Sequence, residues 1–372
     1  MIKVCHISTV HKISDVRVFH KQCVSLAKHF DLYLIITHDK EEVKNGVKVI
    51  PLKKSKGRLY RLVFKTTSAL MKALRVKAKI YHIHDPELLI VGLVLRMFGK
   101  KVVYDIHELV YYQITDKKWL GGMFIRRIVA FFYKGFESLG VRFFNKLALA
   151  EKGYYPYFEK HYAKRLDKVM FIRNFPILDL INDQPATEKM FPGKVTLVYA
   201  GGLTRIRGIK ELCEGVERAE TDVRLILLGP WESESFEEEC LKDKARVKYV
   251  GLKPLNEVFP IMKSADIGAA VLHPLENHMN SSLIKTYEYM ACSLPMLLSN
   301  FDSWKEEFGP YAIFANPLSV DDIAEKIDWA ALNMDQMKEM GAKAREVALA
   351  NYNWSVEAEK VRRMYESLVN KK

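Results

Sequence analysis

The chain alternates short, apolar, β-rich runs with longer stretches of helical period, and it does so in two successive series. The first series places strand patterns at 3–8, 31–37, 80–84, 101–105 and 147–150, with helical patterns at 17–28, 59–76, 87–98 and 119–139. The second places strands at 195–200, 223–228, 247–250, 267–271, 295–299 and 312–314, with helices near 208–219, 254–264, 285–291 and 320–333. Apolar runs of four to eight residues separated by helices are what parallel strands joined by crossovers look like, because both faces of such a sheet are covered. Two series therefore predict an α/β protein with two Rossmann-like, doubly wound parallel sheets. Between them, Asn174-Phe175-Pro176 and the polar stretch 182–189 read as hinge and linker. A length of 372 residues agrees with two domains of about 150–200 residues each.

Charge separates the two halves. Residues 1–175 carry 34 Lys and Arg against 14 Asp and Glu, a net +20, whereas residues 176–372 carry 24 against 31, a net −7. The first half is thus expected to meet phosphate-rich partners: an anionic membrane, a lipid diphosphate or nucleic acid. Cys5, Cys23, Cys213, Cys240 and Cys292 are odd in number and lack paired short spacings, which speaks against a disulfide framework and against a zinc site. The first residues show no secretion signal, and the longest apolar stretch, 88–98, is interrupted by Arg96 and falls short of the roughly 20 residues that span a bilayer. A cytoplasmic protein is expected, peripheral at the inner face of the cell membrane.

In open α/β sheets ligands sit beyond the carboxyl ends of strands. After the strand at 195–200 comes Gly201-Gly202-Leu203-Thr204-Arg205-Ile206-Arg207-Gly208, a glycine turn leading into a helix start with cations. Glycine lets the backbone approach a phosphate closely and arginine offers it a planar fork; the plainer reading is a tight turn with solvated cations. Further on, Asn280-Ser281-Ser282 and Lys285 run into Tyr287-Glu288-Tyr289-Met290-Ala291 and Pro295. A small-polar loop with one cation, opening a helix with a carboxylate in its first turns, suits a diphosphate on backbone N–H groups and a sugar hydroxyl on the carboxylate. The junction Gly229-Pro230-Trp231-Glu232 reads equally as a wall for a base and as a loop with an exposed Trp.

Asp85-Pro86-Glu87-Leu88, Val103-Tyr104-Asp105-Ile106-His107-Glu108, Gly201-Gly202 with Arg207-Gly208, and Lys285-Thr286-Tyr287-Glu288-Tyr289-Met290-Ala291 with Pro295 follow one another in an order that resembles the retaining GT-B glycosyltransferases called group 1, or family four. The likeness is to bacterial surface-polysaccharide members, and it extends to Asp15-Val16-Arg17 early and Tyr352-Asn353-Trp354 late. It implies two domains facing a cleft: an acceptor-binding one over 1–175, a nucleotide-sugar-binding one over 176–350, and a last helix in 351–372 crossing back to the first. It also implies that Glu288 binds ribose hydroxyls and that Lys285 and the N–H groups around Ser282, Leu283 and Ile284 lie at the diphosphate. The chain departs from the family pattern in having Asn280 where a glutamate is common, Gly202 where an arginine is usual, and Arg207 in place of a lysine. Diphosphate compensation is therefore expected from Arg207, with Arg205 standing in for the missing arginine.

In the first half, His107 follows a strand and is expected either to meet the transferred sugar, as the resemblance implies, or to be a satisfied structural histidine. His84 and Asp85 end the preceding strand, where they serve the acceptor or cap the helix that follows. Asp15 stands beside Arg17, a pairing more often structural than catalytic. Catalytic roles thus fall to His107, Arg207, Lys285 and Asn280, donor contacts to Gly201, Gly202, Arg205, Ser282, Leu283, Ile284 and Glu288, and acceptor contacts to His84, Asp85 and Asp15. No Asp-x-Asp cluster is present, so neither a metal nor another cofactor is expected.

The segments 53–79 and 117–134 mix cations with Trp, Phe and other apolar residues and are expected on an anionic membrane surface, consistent with a polyprenyl-linked acceptor. The expected activity is transfer of a hexose-type sugar from a nucleoside diphosphate sugar to a lipid-linked saccharide in surface polysaccharide, capsule or lipopolysaccharide synthesis. A nucleotide-sugar epimerase on the same fold is the alternative. A nucleic-acid-binding protein is a weaker one, since no such module is recognisable and the second half is acidic.

Overall fold

A computed structural model describes residues 1–372 apart from 55–56, 58–59, 117–120, 280 and 371–372; of 115, 116 and 277 only the backbone is described. The chain forms two units, Met1–Asn174 with Ser355–Lys372, and Phe175–Trp354.

In the first unit eight strands form one sheet: β1 (Lys3–Lys12), β2 (Asp31–Thr37), β3 (Glu42–Lys44), β4 (Val47–Leu52), β5 (Ile80–Ile83), β6 (Lys101–Ile106), β7 (Lys146–Leu149) and β8 (Val169–Phe171). Their order is β3-β4-β2-β1-β5-β6-β7-β8, and every pair is parallel except β3 with β4. The antiparallel pair turns at Asn45-Gly46, both with positive φ (50° and 79°), the geometry of a tight hairpin with the right-handed twist of its strands. The helices Thr66–Val76, Leu89–Met97 and Met123–Phe143 cover one core with Tyr81, Leu89, Leu95 and Phe144 at its centre. The closing helix, Trp354–Asn370, brings Tyr365 into the buried interior of this unit.

The second unit has six parallel strands, β9 (Val195–Ala200), β10 (Val223–Leu228), β11 (Val247–Gly251), β12 (Ile267–Ala270), β13 (Met296–Ser299) and β14 (Ala312–Ala315), ordered β11-β10-β9-β12-β13-β14. Both sheets are doubly wound as expected. The order reverses beside β1 in the first and beside β9 in the second, and the crevices outside those strand ends are where such sheets hold ligands. No helix among the described residues is long and apolar enough to cross a membrane.

Candidate active site

In the second unit β9 ends in Tyr199-Ala200 and the chain turns through Gly201-Gly202. Gly201 has φ 142°, and a Cβ on it would lie 2.8 Å from Lys285 Nζ and 3.3 Å from an Arg207 guanidinium nitrogen. Gly229, with φ 133°, backs the turn so closely that a Cβ there would fall 2.0 Å from the Gly201 carbonyl oxygen. The two glycines are thus fixed by backbone conformation and by contact. Tyr199 joins the cations beside this turn: Lys285 Nζ stands 3.5 Å from its ring centroid, and Arg207 hydrogen-bonds its side chain.

Lys285 belongs to the helix Ile284–Ala291, whose N-cap Leu283 is extended and supplies no side-chain hydrogen bond. The lysine is 6% exposed, and its ammonium finds no hydrogen-bond partner among the described residues. Burial pushes its pKa well down, the Arg207 charge pushes the same way, and Glu288 opposes them. An uncapped helix N-terminus, a buried unpaired ammonium and a guanidinium thus converge on a glycine turn, an arrangement completed by an anion with several oxygens. The loop before the helix is held from behind: Ser282 donates to Glu307 Oε2 at 2.5 Å, Tyr287 to Glu307 Oε1 at 2.7 Å, and Trp304 Nε1 to the Ser281 carbonyl at 2.8 Å. Glu288 is half-buried on the same helix.

Arg205 is not brought to this cluster. It pairs with Glu239 and lies over the Phe236 ring at 4.5 Å, so Arg207 is the arginine at the turn. Trp231, read as a base wall or an exposed loop residue, packs against Phe236 and Tyr249 with centroids 5.8 and 5.5 Å away. Asn280 lies outside the described residues.

The first unit has a cavity of about 650 Å³ lined by polar residues, among them His11, Asp85, Glu87 and His107, and by apolar ones, among them Leu62, Ile90, Val110 and Phe136. Part of the polar lining is built where β1 leaves its ladder, since its register with β2 shifts between Ile7 and Lys12. The freed backbone N–H groups of Thr9 and Val10 donate to Asp85 Oδ2 at 2.6 and 3.2 Å, joined by Ser8 Oγ at 2.9 Å. Asp85 sits at the N-cap of the helical turn Pro86–Leu88, its carbonyl accepting the Leu88 N–H at 3.0 Å, but its side chain makes no capping bond and turns instead to the β1 loop. Nor do Asp15 and Arg17 pair. Asp15 caps the helical stretch Val16–Cys23 through the Val18 N–H and bonds His11 Nδ1 at 2.6 Å, while Arg17 goes to Asp105.

Asp105, fully buried at the end of β6, is the hub of this unit. Its carboxylate accepts from Arg17 at 2.7 and 3.3 Å, Gln22 at 2.6 Å and His107 Nε2 at 2.8 Å, and lies 3.2 Å from His84 Nδ1. Burial alone would raise its pKa, but Arg17, His107 and His84 hold it well below the carboxylate range. The ligand-type atoms of His84, Asp105 and His107 lie within 4.8 Å of one another. The Arg17 guanidinium already neutralises that carboxylate and Gln22 occupies the same oxygen, so the group reads as a hydrogen-bond hub; a cation there would face a buried positive charge.

The His11–Asp15 pair gives a pH prediction. Burial lowers the His11 pKa, but the bond from Asp15 and the charge of Asp85 outweigh it and leave it above the ordinary 6.5. Asp15, which burial would raise, is brought from 3.8 to about 2 by His11 and the Val18 N–H. The histidine contribution is complete below 6.5 and fades as pH rises through the folded value; the aspartate contribution is present above 3.8 and lost towards about 2. His11→Gln should therefore lower Tm clearly at about pH 5.5 and much less at about pH 8.5. Equal losses at both would remove the pair from the account.

His11, Arg17, Tyr199 and the Asp105 hub were missed as site residues. His11 stands four residues before Asp15 and just past the strand pattern, a signal that was present but short; the hub depends on partners 83 and 88 residues apart.

Residues 194–333, most of the second unit, match the family described as Glycosyl transferases group 1. No curated protein matches the chain in sequence. Among solved structures, sucrose-phosphate synthase from Thermosynechococcus elongatus superposes with a TM-score of 0.78 at 16% identity, covering 100% of both chains. Anabaena Alr3699/HepE, in complex with UDP and glucose, gives 0.68 at 14%, covering 99% of this chain and 100% of that one. WaaG, a glycosyltransferase involved in lipopolysaccharide biosynthesis, gives 0.68 at 14% with 97% and 98% covered. These likenesses show the GT-B fold over the whole chain.

Proposed function

We propose that the protein is a group 1 glycosyltransferase, a reading supported by the match over residues 194–333, and that it moves a hexose-type sugar from a nucleoside diphosphate sugar to a lipid-linked saccharide, with retention of anomeric configuration. The observation that carries the donor half is the unpaired, buried Lys285 ammonium over Gly201-Gly202, with Arg207 beside it and the uncapped helix Ile284–Ala291 behind it. Departure of the sugar leaves negative charge on the diphosphate. Lys285, Arg207 and the helix N–H groups are donors aimed where that charge grows, with no metal in the scheme. Glu288, one turn further on, is assigned to the ribose hydroxyls. UDP-sugars are the first donors to try, since the HepE structure holds UDP and glucose.

The acceptor half rests on the cavity of the first unit, whose polar lining suits sugar hydroxyls and whose apolar lining suits a lipid portion. His107 contacts a sugar hydroxyl, and Asp85 and Asp15 hold the loop that carries His11. Phe136 in that lining belongs to the helix Met123–Phe143, which also exposes Phe124, Phe131, Phe132 and Phe143. With Leu62, Val63 and Phe64 exposed on the helical segment Arg61–Lys65 and a net +20 over 1–175, this face suits an anionic bilayer. The 117–120 part of that reading lies outside the described residues. The setting is surface polysaccharide or lipopolysaccharide synthesis.

The test combines UDP-, GDP- and ADP-sugars with polyprenyl-linked acceptors and reads the product by mass spectrometry, with sedimentation on phosphatidylglycerol and phosphatidylcholine vesicles. Transfer from one donor, with binding to the anionic vesicles alone, is expected. Epimerised donor without transfer would replace the transferase reading, and indifference to vesicle charge would remove the membrane.

A further inference from the structure

Beneath the cavity of the first unit a line of buried rings runs from Asp105 into the core and ends at the closing helix. His84 Nδ1 lies 3.2 Å from Asp105 Oδ2, and His84 Nε2 lies 2.9 Å from His6 Nδ1. His6 Nε2 is 2.9 Å from the Tyr365 hydroxyl, which is 2.5 Å from His82 Nδ1. His6, His82 and His84 are at most 3% exposed. Burial, the largest cause in each, holds all three below the ordinary histidine range, so each carries one N–H.

Proton positions along this line follow from its ends. Asp105 faces Arg17 and is ionised, so it only accepts, and both His107 Nε2 and His84 Nδ1 must carry hydrogen. His84 Nε2 is then a lone pair and takes the His6 Nδ1–H; His6 Nε2 takes the Tyr365 O–H; the Tyr365 oxygen takes the His82 Nδ1–H. That leaves His82 Nε2 as a bare acceptor, and it is the one nitrogen of the line without a partner. The opposite polarity would bury an unsatisfied N–H at His82 and put a proton on Asp105 beside an arginine, a far more costly arrangement.

We propose that Asp105 is a positioning residue: its ionised carboxylate, which only accepts, locks the imidazoles beneath the cavity in one tautomeric order down to Tyr365 and His82, and holds His107 with Nδ1 as a hydrogen-bond acceptor for a substrate hydroxyl. The substrate part of this inference rests on the transferase reading; the tautomeric part does not. Once Asp105 is replaced by Asn, whose amide can both donate and accept, His84 and His6 gain a second arrangement, with His84 carrying hydrogen on Nε2.

Long-range ¹H–¹⁵N correlation of the histidine rings in the full chain reads this directly and needs no substrate. The wild type should show hydrogen on Nδ1 of His6, His82 and His84 and on Nε2 of His107. Tyr365→Phe, isosteric at a buried site, should leave hydrogen on Nδ1 of His6 and His84, because Asp105 still accepts, and free only His82 to change tautomer, whereas Asp105→Asn, read well below its melting temperature, should bring His6 and His84 into mixed tautomers. A wild type with hydrogen on His84 Nε2, or a Tyr365→Phe protein with mixed His6 and His84, overturns the proposal. Correct tautomers in a protein that transfers nothing would instead count against the transferase reading alone.

Discussion

Lys285→Met should yield a protein that melts higher than the wild type in the absence of nucleotide and has lost roughly 100- to 1,000-fold in transfer rate. The two effects have one cause. In the unliganded fold the ammonium is buried without a hydrogen bond beside the Arg207 charge, with only the Tyr199 ring and Glu288 as compensation. Methionine keeps the length and removes the charge, so the fold should gain about 1–2 kcal/mol, the range seen when buried charges give way to apolar residues. Because burial depresses the Lys285 pKa, the unfolded chain binds more protons and wild-type stability rises with pH through that window up to the ordinary 10.5. The variant's advantage should therefore be largest at low pH and shrink in alkali. Thermal melts across pH check the first effect. A variant that melts lower at every pH would show that Lys285 is a structural residue.

Asp105→Asn should have the largest effect on stability, about 3–5 kcal/mol, or a Tm loss on the order of 10 °C. The Arg17 side chain is 8% exposed and would be left as an uncompensated buried cation. Asn also turns an NH₂ towards groups that all donate, Arg17, Gln22, His84 and His107, so part of the hub is left unpaired whichever way the amide points. The depressed Asp105 pKa means its contribution is present above 3.8 and lost in stronger acid, so the variant should show less acid sensitivity than the wild type. Adding Arg17→Met to Asp105→Asn should restore part of the loss, because it removes the orphaned charge. Chemical denaturation of the single and double variants measures this, and strictly additive losses would refute the hub.

The sheets were legible because their strands are buried on both faces and read as continuous apolar runs: 31–37, 195–200 and 223–228 are the observed β2, β9 and β10. The β3–β4 hairpin was passed over although Asn45-Gly46 announces its turn, because Glu42-Val43-Lys44 is too short and polar to look like a strand. The helices Glu234–Leu241 and Met334–Asn351 were missed for another reason. The first buries only Phe236 and Cys240, and the second turns inward a stripe of Met337, Gly341, Ala344 and Ala348, whose small side chains register weakly in a hydrophobic period. At the site, Gly201, Gly202, Arg207 and Lys285 were legible because each lies in a local strand-to-helix motif. Arg205 was misplaced because spacing alone does not show that Glu239 competes for it. Asp105, Arg17 and Gln22 come together only through long-range packing, and nothing near any of them in the chain announces the others.

Titration calorimetry of UDP, GDP and ADP onto the wild type and onto Lys285→Met, in buffers of different ionisation enthalpy, tests the central claim most directly. The account predicts that one nucleoside diphosphate binds the wild type, that in alkali binding takes up protons because the anion holds the Lys285 charge that burial opposes, and that the variant loses it. Undiminished binding to Lys285→Met, or no diphosphate binding by the wild type, would contradict it.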